Sequence, residues 1–488
     1  MTGGYQTIQA AVDAAQPGDW ILVGPGDYHE QADYANNSHP AGVWIQDKAG
    51  LHLRGMDRNN VIVDGTQASA TGACSSAPTD QDLGPGGHGR NGIEVMGKDG
   101  GDNGVTLENL TACNWMDGSG GNGNQIWWNG GDGGGVIHLQ GYTGNYLTAS
   151  ATYSNGVNNP SGSYGIFSSD STGYSNPTAG YQGTQFSSWT NDYASNMSDS
   201  AYYIGACQQR CDVVMDHDTG EVSALCLSST NAGGYLLVEH TLCDNNKTGL
   251  VNNSQNNDDF PSPQFGQCDL GVAGEPQTGA TGSTNCTVWM NNTLINNNNP
   301  DVPGNGVGGL AGGGPVGTGL ILAGSSNITV TQNDIENNNS WGELIVDLPD
   351  QESGPAQCHG GLDINPSPPT VPEVCVFVSW GNVSLNNTFK NNGKGWDNPN
   401  TNTTLGDIGL ATFQHTNPPF ANTLGNCFSG DTDTTTALQE PSTDPAGIEA
   451  LPAYAPSNGT CTQTNFGDYG PLTGEAECAS QLLAPCPT

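Results

Sequence analysis

One phrase recurs along the chain: "VTLENLTACN" from 105, "LLVEHTLCDNN" from 236, "VWMNNTLINNNN" from 288, "ITVTQNDIENNN" from 328 and "NVSLNNTFKNNG" from 382. Each is a short apolar strand, a polar corner, a second apolar position and an Asn run. Another short strand precedes several of them, as in "NGIEVMG", "GSYGIFSS", "GTGLILAG" and "WGELIVD". With loops removed, the unit is roughly 20 to 25 residues long, inside the range of solenoid repeats. A unit this small cannot bury its inward side chains alone, so units must stack. Stacking also explains the Asn runs. Equivalent corner residues then lie about 4.8 Å apart, where amide side chains hydrogen-bond in a ladder, and Asn tolerates left-handed backbone.

The opening stretch, "YQTIQAAVDAAQPGDWILVGPGDYHE", predicts a helix followed by a strand. Ile8, Ala11, Val12 and Ala15 recur at helical spacing, Pro17-Gly18 stops the helix, and Trp20 to Val23 form an apolar run. This order resembles the start of right-handed parallel β-helix proteins, where a helix plugs the first coil. The expected fold is therefore all-β, a right-handed parallel β-helix of about ten coils. Residues 1–30 form its N-terminal cap, 31–427 the solenoid, and 428–488 a disulfide-rich C-terminal cap or tail. Long loops are expected near 66–90, 116–135, 255–285, 299–318 and 348–374. At this architectural level the chain resembles the pectate-lyase-like superfamily and exported β-helix repeat proteins, which implies a groove along the Gly-strand face.

Charge narrows the partners. Lys and Arg total 9 against 48 Asp and Glu, a formal net charge of −39. That balance excludes nucleic acid and anionic membrane surfaces as natural partners, and no apolar run reaches membrane length. The 14 cysteines fit an exported chain with disulfide-closed loops. Cys268 with Cys286 and Cys358 with Cys375 flank such loops. Cys207 and Cys211 lack the second ligand pair of a zinc finger. A secreted mature form with an added Met1 accounts for the lack of a signal peptide. Monomer and homo-oligomer both remain open.

The most pointed local resemblance is "CDVVMDHD" at 211–218, which is similar to a Val-Trp-Ile-Asp-His strand of pectate lyases. The preceding strand, "AYYIGA" at 201–206, lacks the calcium-binding aspartates that this resemblance requires, and Arg210 falls in a turn. The calcium-lyase site is thus not carried over. His240 lies 23 residues after His217 with Glu239 matching Asp216, and Asn292, Asn333 and Asn387 are expected in the same corner column. That spacing makes His217 a ladder member.

Candidate site residues come from the outward side of the Gly-strands and from the loops. With Ile93 and Val95 inward, Glu94 faces out, as do His138, Tyr203, Glu343 and Asp347 in neighbouring units. Trp127 and Trp128 sit in a glycine-rich loop, where alternation offers one indole to a ligand such as a sugar ring. Asp258 and Asp259 leave the groove edge in a polar loop that suits calcium or supplies a carboxylate. Carboxylates one or two coils apart are separated by about 5 or 10 Å, the two spacings used in glycoside hydrolysis. Glu94, Asp216, Asp258, Asp259 and Asp347 are the acid and base candidates, with Trp127, Trp128, His138 and Tyr203 as substrate-binding residues. The expectation is a secreted protein cleaving a neutral or weakly charged polysaccharide. The alternatives are a non-catalytic glycan-binding or structural solenoid, and a polyuronate lyase or epimerase, which the scarcity of cations opposes.

Overall fold

The computed structural model describes residues 4–35, 40–97, 102–131, 139–152, 160–169, 187–207, 211, 213–232, 236–255, 287–306, 313–326, 328–350, 362–363, 375–393, 406–411, 426–434 and 463–465. The chain divides into two compact units. The first comprises 1–207, 212–227 and 301–308, and the second 208–211, 228–300 and 309–488.

In the first unit each of five coils contributes one strand to each of three parallel sheets, and a sixth contributes to the first two. The first sheet runs from Trp20–Val23 through His52–Gly55, Thr106–Glu108, Thr143–Asn145 and Ser187–Thr190 to Val213–Asp216. The second runs from Gly26–Tyr28 through Val61–Asp64, Thr111–Cys113, Thr148–Ser150 and Tyr193–Ser195 to Thr219–Glu221. The third consists of Ala41–Gln46, Asn91–Met96, Ile126–Asn129, Gly162–Ser169 and Met197–Gly205. This is a parallel β-helix, with the right-handed sense that parallel crossovers take.

The second unit repeats the plan. Its first sheet joins Leu236–Glu239, Thr287–Met290, Ile328–Thr331, Val383–Leu385 and Asn426–Ser429, and Gln463–Asn465 adds antiparallel to the last. Its second sheet runs from Leu242–Asp244 to Thr432–Asp433, and its third from Thr248–Asn253 through Thr318–Ala323 and Trp341–Val346 to Ile408–Ala411. A three-stranded antiparallel sheet of Leu348–Asp350, Leu362–Asp363 and Cys375–Phe377 projects from it. Most of the expected C-terminal cap lies outside the described residues.

Alternation along each strand fills the interior. Val43, Ile45, Ile93, Val95, Ile126, Trp128 and Ile166 of the third sheet are fully buried in register. The indole of Trp128 stacks on Tyr142 at 5.3 Å and meets Trp189 at 5.9 Å, an aromatic layer inside the first unit. The capping helix, Ile8–Ala14, buries Ile8, Ala11 and Val12, and Ala15 just beyond it. Thr7 caps it by accepting from the Ala10 N–H. The buried Glu30 carboxylate accepts from the Ile8 and Gln9 N–H groups at 2.7 and 3.0 Å, satisfying two donors that a helix start leaves open.

The corner ladders exist, and Asn292, Asn333 and Asn387 form one as expected, but His217 and His240 fall one residue before that column. In each corner pair of that column the first residue takes left-handed backbone and the second, an Asn, turns inward. Thus Asn291, Gln332 and Asn386 have φ near +55°, while Asn292, Asn333 and Asn387 are buried. Asn292 donates its N–H and Nδ2 to Asn333 Oδ1, and Asn333 does the same to Asn387 Oδ1, all at 2.9–3.0 Å. A second ladder, Asn246, Asn297, Asn338 and Asn392, lines the next corner. His217 (φ 59°) and His240 (φ 50°) belong to the left-handed position, the equivalent of Asn291, not to the buried column. The shift arises because the chain needs one residue to turn the corner before it can point the next one in.

Cys74 is bonded to Cys113, tying the loop after Val61–Asp64 back to the second sheet. Cys207, Cys211, Cys226 and Cys243 are also oxidised, which removes them as zinc ligands. The loop cysteines Cys268, Cys286 and Cys358 lie outside the described residues.

Candidate functional site

The outward face of the third sheet in the first unit carries an unusual column. Register aligns Trp44, Glu94, Trp127, Phe167 and Tyr203 on successive strands. An outward column in a chain this polar is ordinarily Ser, Thr or Asn; here four of five positions are aromatic. Trp127 stacks on Phe167 at 5.0 Å, and Phe167 meets Tyr203 edge-on at 4.8 Å. Tyr164, from the same strand as Phe167, packs on it at 4.5 Å and donates its hydroxyl to Asp199 at 2.9 Å. Trp44, Trp127, Phe167 and Tyr164 are half-buried, so the strip keeps an open edge. Its neighbouring column, Gln46, Met96, Asn129, Ser169 and Gly205, is mostly polar, and Ser169 Oγ accepts the Trp127 indole N–H at 3.0 Å.

Glu94 interrupts the aromatic rungs, one strand spacing from Trp44 on one side and from Trp127 on the other. Its side chain is almost wholly buried. Asn91 Nδ2 donates to Oε2 at 3.0 Å and Asn129 Nδ2 to Oε1 at 2.9 Å. Burial pushes the carboxyl up to about 7, against the lowering effect of the Asn129 and Asn91 amides. At neutral pH the group is therefore divided between acid and carboxylate, the state a proton donor needs.

The other expected residues scatter. Trp128, adjacent to Trp127, points into the core and offers nothing to a ligand. Tyr203 joins the column as its last rung. Asp216 lies on the first sheet, hydrogen-bonded to the exposed His217 at 2.7 Å. Asp347 is buried in the second unit, where Oδ1 accepts the Ser379 N–H at 2.8 Å, a structural role. Glu343 faces inward, not out: it aligns with Leu320 and Ile408, Ser384 donates to it at 2.8 Å, and burial pushes it up to about 8. His138, Asp258 and Asp259 lie outside the described residues, and with them the expected calcium site.

The sequence reading missed the buried acids of the first unit's corner ladder. Asp192 and Asp218 follow the left-handed residues Asn191 and His217, and both are buried. Aligning "ND" at 191–192 and "HD" at 217–218 with the Asn-Asn pairs is the signal that identifies them.

No family model matches this sequence, and no curated protein does. Among solved structures the chain is similar to the A-module of mannuronan C-5 epimerase AlgE6 from Azotobacter vinelandii. That match has 13% identity, 88% of this chain and 91% of that one covered, and a TM-score of 0.42. It is also similar to the catalytic unit of a thermostable GH87 α-1,3-glucanase from Streptomyces thermodiastaticus, at 13% identity, 90% and 68% coverage and TM-score 0.42. A third is the tailspike protein of E. coli bacteriophage HK620, at 10%, 88% and 60% coverage and TM-score 0.36.

Proposed function

We propose that this chain is an exported carbohydrate-binding β-helix whose binding face is the aromatic column of the third sheet. The observation that carries the reading is the alignment of Trp44, Trp127, Phe167 and Tyr203, the first three half-open, around the buried acid Glu94. A continuous apolar strip with a polar border, on an otherwise polar solenoid, suits a ligand that has both C–H faces and hydroxyls. Neither column carries a Lys or Arg, so the substrate class is a neutral polysaccharide. The oxidised cysteines fit an oxidising compartment, and among the described residues no helix is long and apolar enough to cross a membrane.

Titration with neutral and uronate oligosaccharides, followed by tryptophan fluorescence and calorimetry, tests this. Binding of a neutral glycan that weakens about tenfold or more in Trp127→Ala supports the reading. Binding unaffected by Trp127→Ala and Phe167→Ala, or confined to uronates, sinks it.

A second reading, cleavage of the bound glycan, is favoured by the raised Glu94 carboxyl, the proton donor such chemistry requires. Among the described residues neither column supplies a partner carboxylate, so binding stands first. New reducing ends that vanish in Glu94→Gln, with glycan affinity kept, would promote the chain to a glycosidase.

A further inference from the structure

Away from the aromatic column, the second sheet of the first unit gathers Asp27, His29 and Asp64. One carboxylate oxygen from each Asp and a ring nitrogen of His29 lie within 4.8 Å of one another. Asp27 belongs to the first coil and Asp64 to the second, so the cluster bridges successive coils.

We propose that Asp27, His29 and Asp64 form a binding site for one divalent transition-metal ion of the Zn²⁺ class. The imidazole is oriented for ligation: His29 Nδ1 lies 2.7 Å from the Thr66 carbonyl, which makes Nδ1 an N–H donor and leaves Nε2 as the nitrogen that the neutral ring can offer to an ion. That Nε2 is 3.4 Å from Asp27 Oδ2. Ligands bound tetrahedrally at about 2.0–2.1 Å are separated by about 3.4 Å, so this edge of a zinc polyhedron is already in place. Asp64 is held by the Thr66 N–H at 2.8 Å and the Cys74 N–H at 2.6 Å, one to each oxygen, and each oxygen keeps a second lone pair.

An independent observation comes from Thr66. Its N–H donates to Asp64 and its carbonyl accepts from His29, so Thr66 ties two of the three ligands together. Its hydroxyl is buried and has no protein partner. Charge agrees as well. Two carboxylates and a neutral imidazole balance a dication. Imidazole with two carboxylates suits Zn²⁺ better than Ca²⁺, which prefers six to eight oxygens. His29 and Asp27 remain partly exposed, with side chains 17% and 36% accessible, so an ion can enter. Bound there, it would pin the first coil to the loop that the Cys74–Cys113 disulfide also holds.

The test is calorimetric titration of the chelator-treated full chain with Zn²⁺ at pH 7, on wild type, His29→Ala and Asp27→Asn. Circular dichroism checks that each variant is folded. The expected result is one equivalent that weakens about tenfold or more in either variant. No Zn²⁺ uptake by the wild type, uptake unchanged in both folded variants, or a preference for Ca²⁺ would overturn the proposal. Neither variant touches the aromatic column, so glycan binding is a separate readout.

Discussion

The main-chain N–H of Asp192 donates to Asp218 Oδ1 at 2.7 Å, one coil away, just as the N–H of Leu147 donates to Asp192 Oδ1. Both carboxyl groups are inside the solenoid, and the second oxygen of each has no partner. Burial pushes Asp192 up to about 8 and Asp218 well above the usual range, and the Asp192 charge raises Asp218 further. The Arg58 charge opposes both shifts; its guanidinium bonds the Asn191 carbonyl at 3.1 Å and Thr148 at 2.6 Å. Each acid binds its proton more tightly folded than unfolded.

A raised folded pKa means stability that is fully present below about pH 4 and is lost as pH rises through about 8. We expect thermal melting to occur several degrees lower at pH 8.5 than at pH 5. Asp218→Asn should close most of that gap, because Asn fills the same ladder position uncharged in the second unit. Equal pH dependence in wild type and variant would refute the assignment.

In the second unit, Asn333 accepts from the Asn292 N–H and donates to the Trp289 carbonyl at 3.0 Å and to Asn387. Asn333→Ala leaves those buried groups unmet and is expected to cost about 3 kcal/mol in denaturant unfolding. Asn333→Asp should be tolerated better at pH 5 than at pH 8, since only the protonated acid can still donate.

Arg90 is almost wholly buried, with Nε 2.6 Å and Nη2 2.9 Å from the two Asp33 oxygens, Nη1 3.1 Å from Asp82, and its plane 4.6 Å from the Trp115 ring. Arg90→Lys keeps the charge and loses the fork, so a loss of about 3 kcal/mol in unfolding free energy is expected. A change under about 0.5 kcal/mol would show that the fork contributes little.

For Glu94, a titration followed by carboxyl carbon NMR should give a midpoint near 7. Trp127→Ala opens one side of the carboxyl to water, and the midpoint should fall toward the ordinary Glu range. A midpoint that stays put would mean that Trp127 does not exclude water from it.

The sequence alone determined the coil. Repeated apolar strands separated by Asn pairs specify stacking, because no single unit can cover its own inward face, and Ile8, Ala11, Val12 and Ala15 mark the helix that plugs the end. It also put Glu94 and Tyr203 on the outward side of their strands, since alternation is local and period two survives into the fold, but it took the strand Ile126–Asn129 that carries Trp127 for a loop. What it could not reach depends on distance across coils. Inserted loops change the number of residues between rungs, so nothing in the linear order says that Trp44 and Phe167 share a column with them, or that His29 of one coil meets Asp64 of the next. The same limit placed Glu343 on the wrong face and put the ladder at His217 instead of Asp218. A corner turns by a left-handed residue whose position only the three-dimensional chain path reveals, and one residue decides whether a carboxyl meets solvent or the core.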